Sequence, residues 1–154
     1  QGQDRYRRGM YTFFKRTAPY PDLTTFDCPD ANLTNVKRTL SNTPLQALTT
    51  LNSEAFNEAA QGLARRVLTE PLNTDQERLA RCLRLCIARQ PTPNEVKALQ
   101  DLLTDSRRYY KTHSEEAKTL VGNYAVKSQA LEESAAWIAT ARIALNLDEC
   151  LTRE

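Results

Sequence analysis

Glycine is scarce in this chain, with four residues in 154 against a usual share of about 7%. That scarcity argues against a turn-rich all-β architecture and against loops that cradle phosphate. Histidine is scarcer still: His113 is the only one, and it falls in a polar connecting stretch. Cys28, Cys82, Cys86 and Cys150 form no Cys-x-x-Cys pair, so neither a zinc ribbon nor a covalent haem attachment site is spelled out. No apolar run approaches the roughly 20 residues needed to cross a bilayer. Charge of one sign is also missing, since 21 Lys and Arg face 19 Asp and Glu. These absences leave a helical protein with no cofactor, metal or membrane-insertion signal.

What is present fits one helix-rich domain. Forty per cent hydrophobic and 26% charged residues are ordinary proportions for a globular chain, and the length suffices for a real core. The chain opens on Gln1 rather than methionine and reads as a fragment of a longer protein. Its basic residues gather at the front: Arg5, Arg7, Arg8, Lys15, Arg16, Lys37 and Arg38 precede residue 40, alongside most of the phenylalanines.

Helix signals follow in series after residue 40. Asn42 or Thr43 caps a helix with Pro44 in its first turn and Leu45, Leu48 and Leu51 as its apolar positions. Gln46 lies beside that stripe and is expected to be at least half buried, with an arginine or a backbone group of the 20–39 stretch as its partner. Asn52 and Ser53 restart the chain into a helix over 54–69, with Phe56, Ala59, Ala60, Leu63 and Val67 inward. Thr74-x-x-Glu77 is a capping box opening a helix to about residue 89, and Thr92-x-x-Glu95 with Pro93 opens another to about residue 112. A short helix starts at Ser114 and ends near Gly122. A last one spans about 131–147 and carries Trp137 as a core residue. The expected fold is an all-α, irregular bundle of about five to seven helices (core 42–149), with residues 1–40 an extended, partly irregular segment wrapped on it.

That first segment is the least regular. Residues 5–16 would place Tyr6, Met10, Phe13 and Phe14 on one helical face, and Pro19 and Pro21 are expected to end regular structure. Met10, Phe13, Phe14, Leu23 and Phe26 are apolar enough to be expected in contact with the helices rather than with water. Cys82 and Cys86, four apart on a helix, share a face and are expected to behave as small buried hydrophobes.

Several short motifs occur together: Arg-Arg-Gly-Met-Tyr-Thr-Phe-Phe-Lys-Arg at 7–16, Phe-Asp-Cys-Pro-Asp at 26–30, Asn-Thr-Pro-Leu-Gln-Ala-Leu at 42–48, and Leu-Asn at 51–52. Arg-Gln-Pro-Thr-Pro-Asn-Glu at 89–95 and Leu-Asn-Leu-Asp-Glu at 145–149 join them. In combination they resemble the carboxy-terminal domain of unknown function of large planctomycete proteins, which often also carry a cytochrome c-like domain. The resemblance implies a helical domain ending a longer exported chain, hence an extracytoplasmic location, with the other domains of the same parent as partners. It implies no reaction. Any haem would belong to another domain.

The polar residues of these motifs, Arg7, Arg8, Asp27, Asp30, Arg38, Asn42, Thr43, Gln46 and Asn52, form the candidate site. One reading is a ligand site in which arginines fork onto a carboxylate or sugar hydroxyls while the amides donate and accept. The other is an internal network that ties down the irregular segment, since a buried polar group left unpaired costs about 1–3 kcal/mol.

Three functions follow in descending order. The first is a non-catalytic accessory domain of a larger exported protein. The second is part of an interdomain enzyme or glycan-binding site that takes polysaccharide. The third is a nucleic-acid binder, which a net charge of +2 disfavours. Glu132, Glu133, Asp148 and Glu149 do not form an acid–base pair, because neighbours on a helix diverge by about 100°. Asp148 and Glu149 are expected to pair with an arginine of the first segment.

Overall fold

The capping and periodicity signals are realised as helices in the computed structural model, which describes residues 9–11, 13–15, 17–30, 32–37, 41–126 and 128–152. Eight α-helices and no strand occur among the described residues. They are α1 (Pro21–Thr25), α2 (Pro44–Asn52), α3 (Glu54–Thr69), α4 (Asp75–Ile87), α5 (Pro93–Tyr110), α6 (Ser114–Val121), α7 (Leu131–Leu145) and α8 (Asp148–Leu151). The all-α expectation holds, and α2 to α7 begin and end within about two residues of where the sequence places them.

The two capping boxes explain that agreement. Thr74 Oγ1 accepts from the Glu77 amide at 3.2 Å, and the Glu77 carboxylate accepts from the Thr74 amide at 3.1 Å. Thr92 and Glu95 repeat the exchange at 3.4 and 2.6 Å, with Pro93 at the first helical position. Each box satisfies amides that the first turn would otherwise orphan. α4 ends where Ala88 turns left-handed, at φ 59°.

The chain divides into two compact units, Gln1–Thr49 and Thr50–Glu154. In the second, α7 is the central element and packs against α3, α5 and α6. A helix surrounded in this way must be apolar on nearly every side. Ala135, Ala136, Trp137, Ile138, Ala141 and Ala144 are all buried, and the alanines let neighbouring helices approach closely. Two polar residues are buried with them. Ser134 and Thr140 turn their hydroxyls back onto the carbonyls of Ala130 and Ala136, at 3.2 and 2.9 Å, so neither is left unpaired. Val67, Leu79, Leu83, Leu103 and Val121 are among the other buried core residues.

Within Gln1–Thr49 three expectations are corrected. Pro21 opens a helix instead of ending one: α1 starts at it, because its fixed φ and missing amide suit a first helical position. The expected helical face over residues 5–16 is not formed where the chain is described. Gly9–Tyr11 is a single 3-10 turn and residues 13–15 carry no regular structure. With no face to share, Met10 and Phe13 are 75% and 90% exposed, while Phe14, Leu23 and Phe26 are half-buried. Tyr6 lies outside the described residues.

The third correction concerns α2. Its apolar residues Leu45 and Leu48 are exposed, and the buried positions are the polar Gln46 and Thr50. Hydrogen bonding decides which side of this helix turns inward.

Candidate functional site

The site grows out of the end of α1. Beyond Thr25 the chain closes with the Cys28 amide donating to the Leu23 carbonyl at 2.9 Å and the Phe26 amide to that of Asp22 at 3.1 Å. Between them Asp27 is left-handed, at φ 56°, a conformation that aspartate tolerates better than most residues. Its side chain reaches across to Ser41. Asp27 Oδ2 accepts from the Ser41 amide at 2.8 Å, from Ser41 Oγ at 2.7 Å and from Gln46 Nε2 at 3.3 Å.

Gln46 is the hub. It is 2% exposed, and its amide nitrogen also lies 2.9 Å from the Thr25 carbonyl and 3.1 Å from Ser41 Oγ. Its oxygen accepts from the Thr43 amide at 3.0 Å, while its own backbone amide donates to Thr43 Oγ1 at 3.3 Å. Thr43 and Gln46 therefore form a third capping box, with glutamine in the place glutamate holds at Thr74 and Thr92. Both ends of the Gln46 side chain are engaged.

Of the candidate residues, the structure brings Asp27, Thr43 and Gln46 together. Arg7, Arg8 and Arg38 lie outside the described residues. Asn42 and Asn52 are exposed. Asp30 is exposed and accepts from the backbone and side-chain amides of Asn32, at 2.9 and 2.8 Å. Ser41 and Thr25 are not marked out by any motif in the sequence. The Thr43-x-x-Gln46 box was readable there, whereas the Ser41 contact, 14 residues from Asp27, has no local signature. Chemically the cluster is a latch: its described donors and acceptors turn upon one another and hold residues 25–27, 41–43 and 46 together.

The unit Thr50–Glu154 carries two further constellations. Arg89 donates to Glu95 at 2.7 and 3.1 Å and to Glu149 at 2.7 and 2.8 Å. Among the described residues Glu149 pairs with Arg89; the arginines of the first segment, expected as partners of Asp148 and Glu149, lie outside the described residues. Asp148 accepts from Thr152 Oγ1 at 2.9 Å. Arg89, together with the Thr92 amide, holds the Glu95 carboxyl down at about 2. These charges rim a groove of about 380 Å³ floored by Leu83, Ile87, Leu99, Leu102, Ile143 and Leu147.

Next to it, Cys82 and Cys86 are buried on one face of α4, and Cys150 of α8 packs against the same core. All four cysteines are free thiols. Contact with Cys150 pulls the Cys86 thiol down, but Cys82 and burial outweigh it and push the thiol up to about 12. No group of three or more His, Cys, Asp and Glu side chains among the described residues is arranged to hold a metal ion.

No curated protein and no solved structure matches this chain. A family model does, over residues 1–103. That span takes in the Asp27–Ser41–Gln46 latch, α1 to α4 and most of α5. Since the match covers well over half of the chain, the protein belongs to the PSD1 family, proteins of unknown function (DUF1553).

Proposed function

We propose that this chain is a non-catalytic accessory module of a larger exported protein, and that residues 1–49 dock onto other domains of the same parent. The observation that carries the reading is where apolar surface is left in water. Met10, Tyr11, Phe13, Tyr20, Leu33, Val36, Leu45 and Leu48 are all more than half exposed. In the longer unit the exposed large apolar residues are Tyr109 and Ile143, at 44% and 39%. Exposed apolar residues concentrated in this way mark interaction surfaces more often than inert ones. The resemblance to planctomycete proteins supports an extracytoplasmic parent and a cytochrome c-like domain as one candidate neighbour.

The Gln46 cluster speaks against the glycan or enzyme reading, because the side-chain amide that would meet a sugar hydroxyl is already bonded at both ends. Calorimetric titration of this chain with the rest of its parent, expressed separately, tests the proposal. Binding is expected, and Phe13→Asp or Leu48→Asp is expected to weaken it at least tenfold without lowering the melting temperature. Absence of binding, or binding indifferent to both substitutions, would overturn it. So would submicromolar affinity for nucleic acid with a steep salt dependence.

A further inference from the structure

We infer that the apolar groove lined by α4, α5, α7 and α8 is a docking site for a basic, apolar peptide. Such a segment of another protein chain seats an aliphatic or aromatic side chain on the floor and holds a lysine or arginine against the acidic rim. Apolar side chains left in water are the first reason. Ile143 stands on the central helix α7, yet it is 39% exposed, and Ile87, Leu102 and Leu147, which line the groove with it, are only half-buried. At about 380 Å³ the groove lies at the small end of the range for ligand pockets, about 300–1,000 Å³. That size suits the anchor side chain of a peptide, the kind of contact that carries most of an interface's energy.

Charge is the second reason. Glu95, Asp148 and Glu149 line the groove with Arg89, three carboxylates against one guanidinium. Glu149 gives both oxygens to Arg89, at 2.7 and 2.8 Å. An ionised carboxylate offers about four acceptor positions, so each oxygen can still take an N–H from a second cation. The Glu95 carboxyl, held at about 2, keeps its charge at any pH near neutrality. An acidic rim beside an apolar floor selects its occupant. It repels the phosphates of lipid head groups and nucleic acid, and none of its lining residues is aromatic, so a base has no ring to stack on. A peptide with a cation beside an apolar anchor satisfies both halves, and the cation also speeds encounter and disfavours acidic competitors. All the lining residues belong to Thr50–Glu154, so the groove is independent of the docking surface proposed on residues 1–49.

The test is selection of a random peptide phage library on the full chain, followed by fluorescence anisotropy with the selected peptides made synthetically. Peptides with Leu, Ile, Met or Phe close to Lys or Arg, binding with micromolar Kd, are the expected result. Ala98→Trp fills the groove from an exposed position, and Ile143→Lys sets a like charge on its floor. Each should weaken binding at least tenfold, as should Glu in place of the peptide's basic residue. If either variant melts lower than the parent, methyl chemical shifts in the parent chain decide: on adding peptide they should move at Leu102, Ile143 and Leu147, and movement elsewhere alone refutes the assignment. No enrichment, enrichment of acidic or uncharged sequences, or binding indifferent to both substitutions would also refute it. A chain that sediments as a dimer and returns to monomer with Ala98→Trp would give the groove to a second copy and overturn it equally.

Discussion

Arg107 grips Glu133 with two parallel hydrogen bonds, from Nε at 2.8 Å and Nη2 at 2.5 Å, and so ties α5 to α7. Its remaining nitrogen reaches Asp75 in the first turn of α4 at 2.6 Å. Glu133 Oε1 also accepts the Trp137 indole N–H at 2.8 Å. Three helices are thereby fixed around one forked cation, in the paired geometry that makes arginine–carboxylate contacts stronger than single ones. Trp137 can be buried to 1% exposure because its polar edge has this acceptor.

Breaking the fork should therefore destabilise the Thr50–Glu154 unit. Arg107→Ala leaves two carboxylates partly buried without their cation and is expected to cost about 1–3 kcal/mol. Both partners keep roughly a quarter to a third of their side-chain surface in water, so the loss stays below that of a fully buried pair. Trp137, the only tryptophan, reports the change directly. Its fluorescence should follow urea unfolding with a lower midpoint in Arg107→Ala, while Arg107→Lys should recover only part of the loss, having no fork.

Gln46→Ala should cost about 1–3 kcal/mol, because the Thr43 amide, the Thr25 carbonyl and Ser41 each lose a partner in a buried setting. Gln46→Glu is expected to be worse despite its similar shape. It replaces a donor with a second carboxylate beside Asp27. Proteolytic cleavage within residues 25–46 is the measurement, and both variants should be cut faster than the parent. Equal rates would show that the latch is not what orders this stretch.

Acid should weaken the protein partly through Glu95. The Arg89 guanidinium, then the Thr92 amide, hold its carboxyl at about 2, below its ordinary 4.5. A carboxylate with a depressed folded-state pKa contributes stability that is complete above its unfolded value and is lost as pH falls toward the folded one. The expected window is about pH 5 to pH 2. Melting temperatures across it should fall less steeply for Glu95→Gln than for the parent, with the two curves diverging most near neutral pH. Parallel curves would remove Glu95 from the account.

Ala88→Gly should stabilise the chain. Ala88 ends α4 at φ 59° and ψ 14°, where a β-carbon is strained and glycine is not. Against the extra freedom that glycine gives the unfolded chain, a net gain of about 0.5–1 kcal/mol is expected. Thermal unfolding read by circular dichroism is sufficient to detect it.

Much of this fold is legible in the chain itself, for a local reason. Thr74, Glu77, Thr92, Pro93 and Glu95 each act within one helical turn, so short-range spacing alone determines where α4 and α5 begin. The period of Leu79, Cys82, Leu83 and Cys86 likewise dictates the inward face of α4, and the near-continuous apolar character of 135–145 marks α7 as the helix with neighbours on most sides. Tertiary structure decided what depends on partners distant in sequence. Leu45 and Leu48 look like the buried face of α2 until Asp27, Ser41 and Thr25 supply partners for Gln46. Glu149 finds Arg89 across 60 residues, and Cys150 finds a core built by helices distant from it in the chain. No local pattern encodes such meetings, because they depend on how whole helices pack; periodicity can nominate a face, but only the available partners determine whether a polar or an apolar residue occupies it.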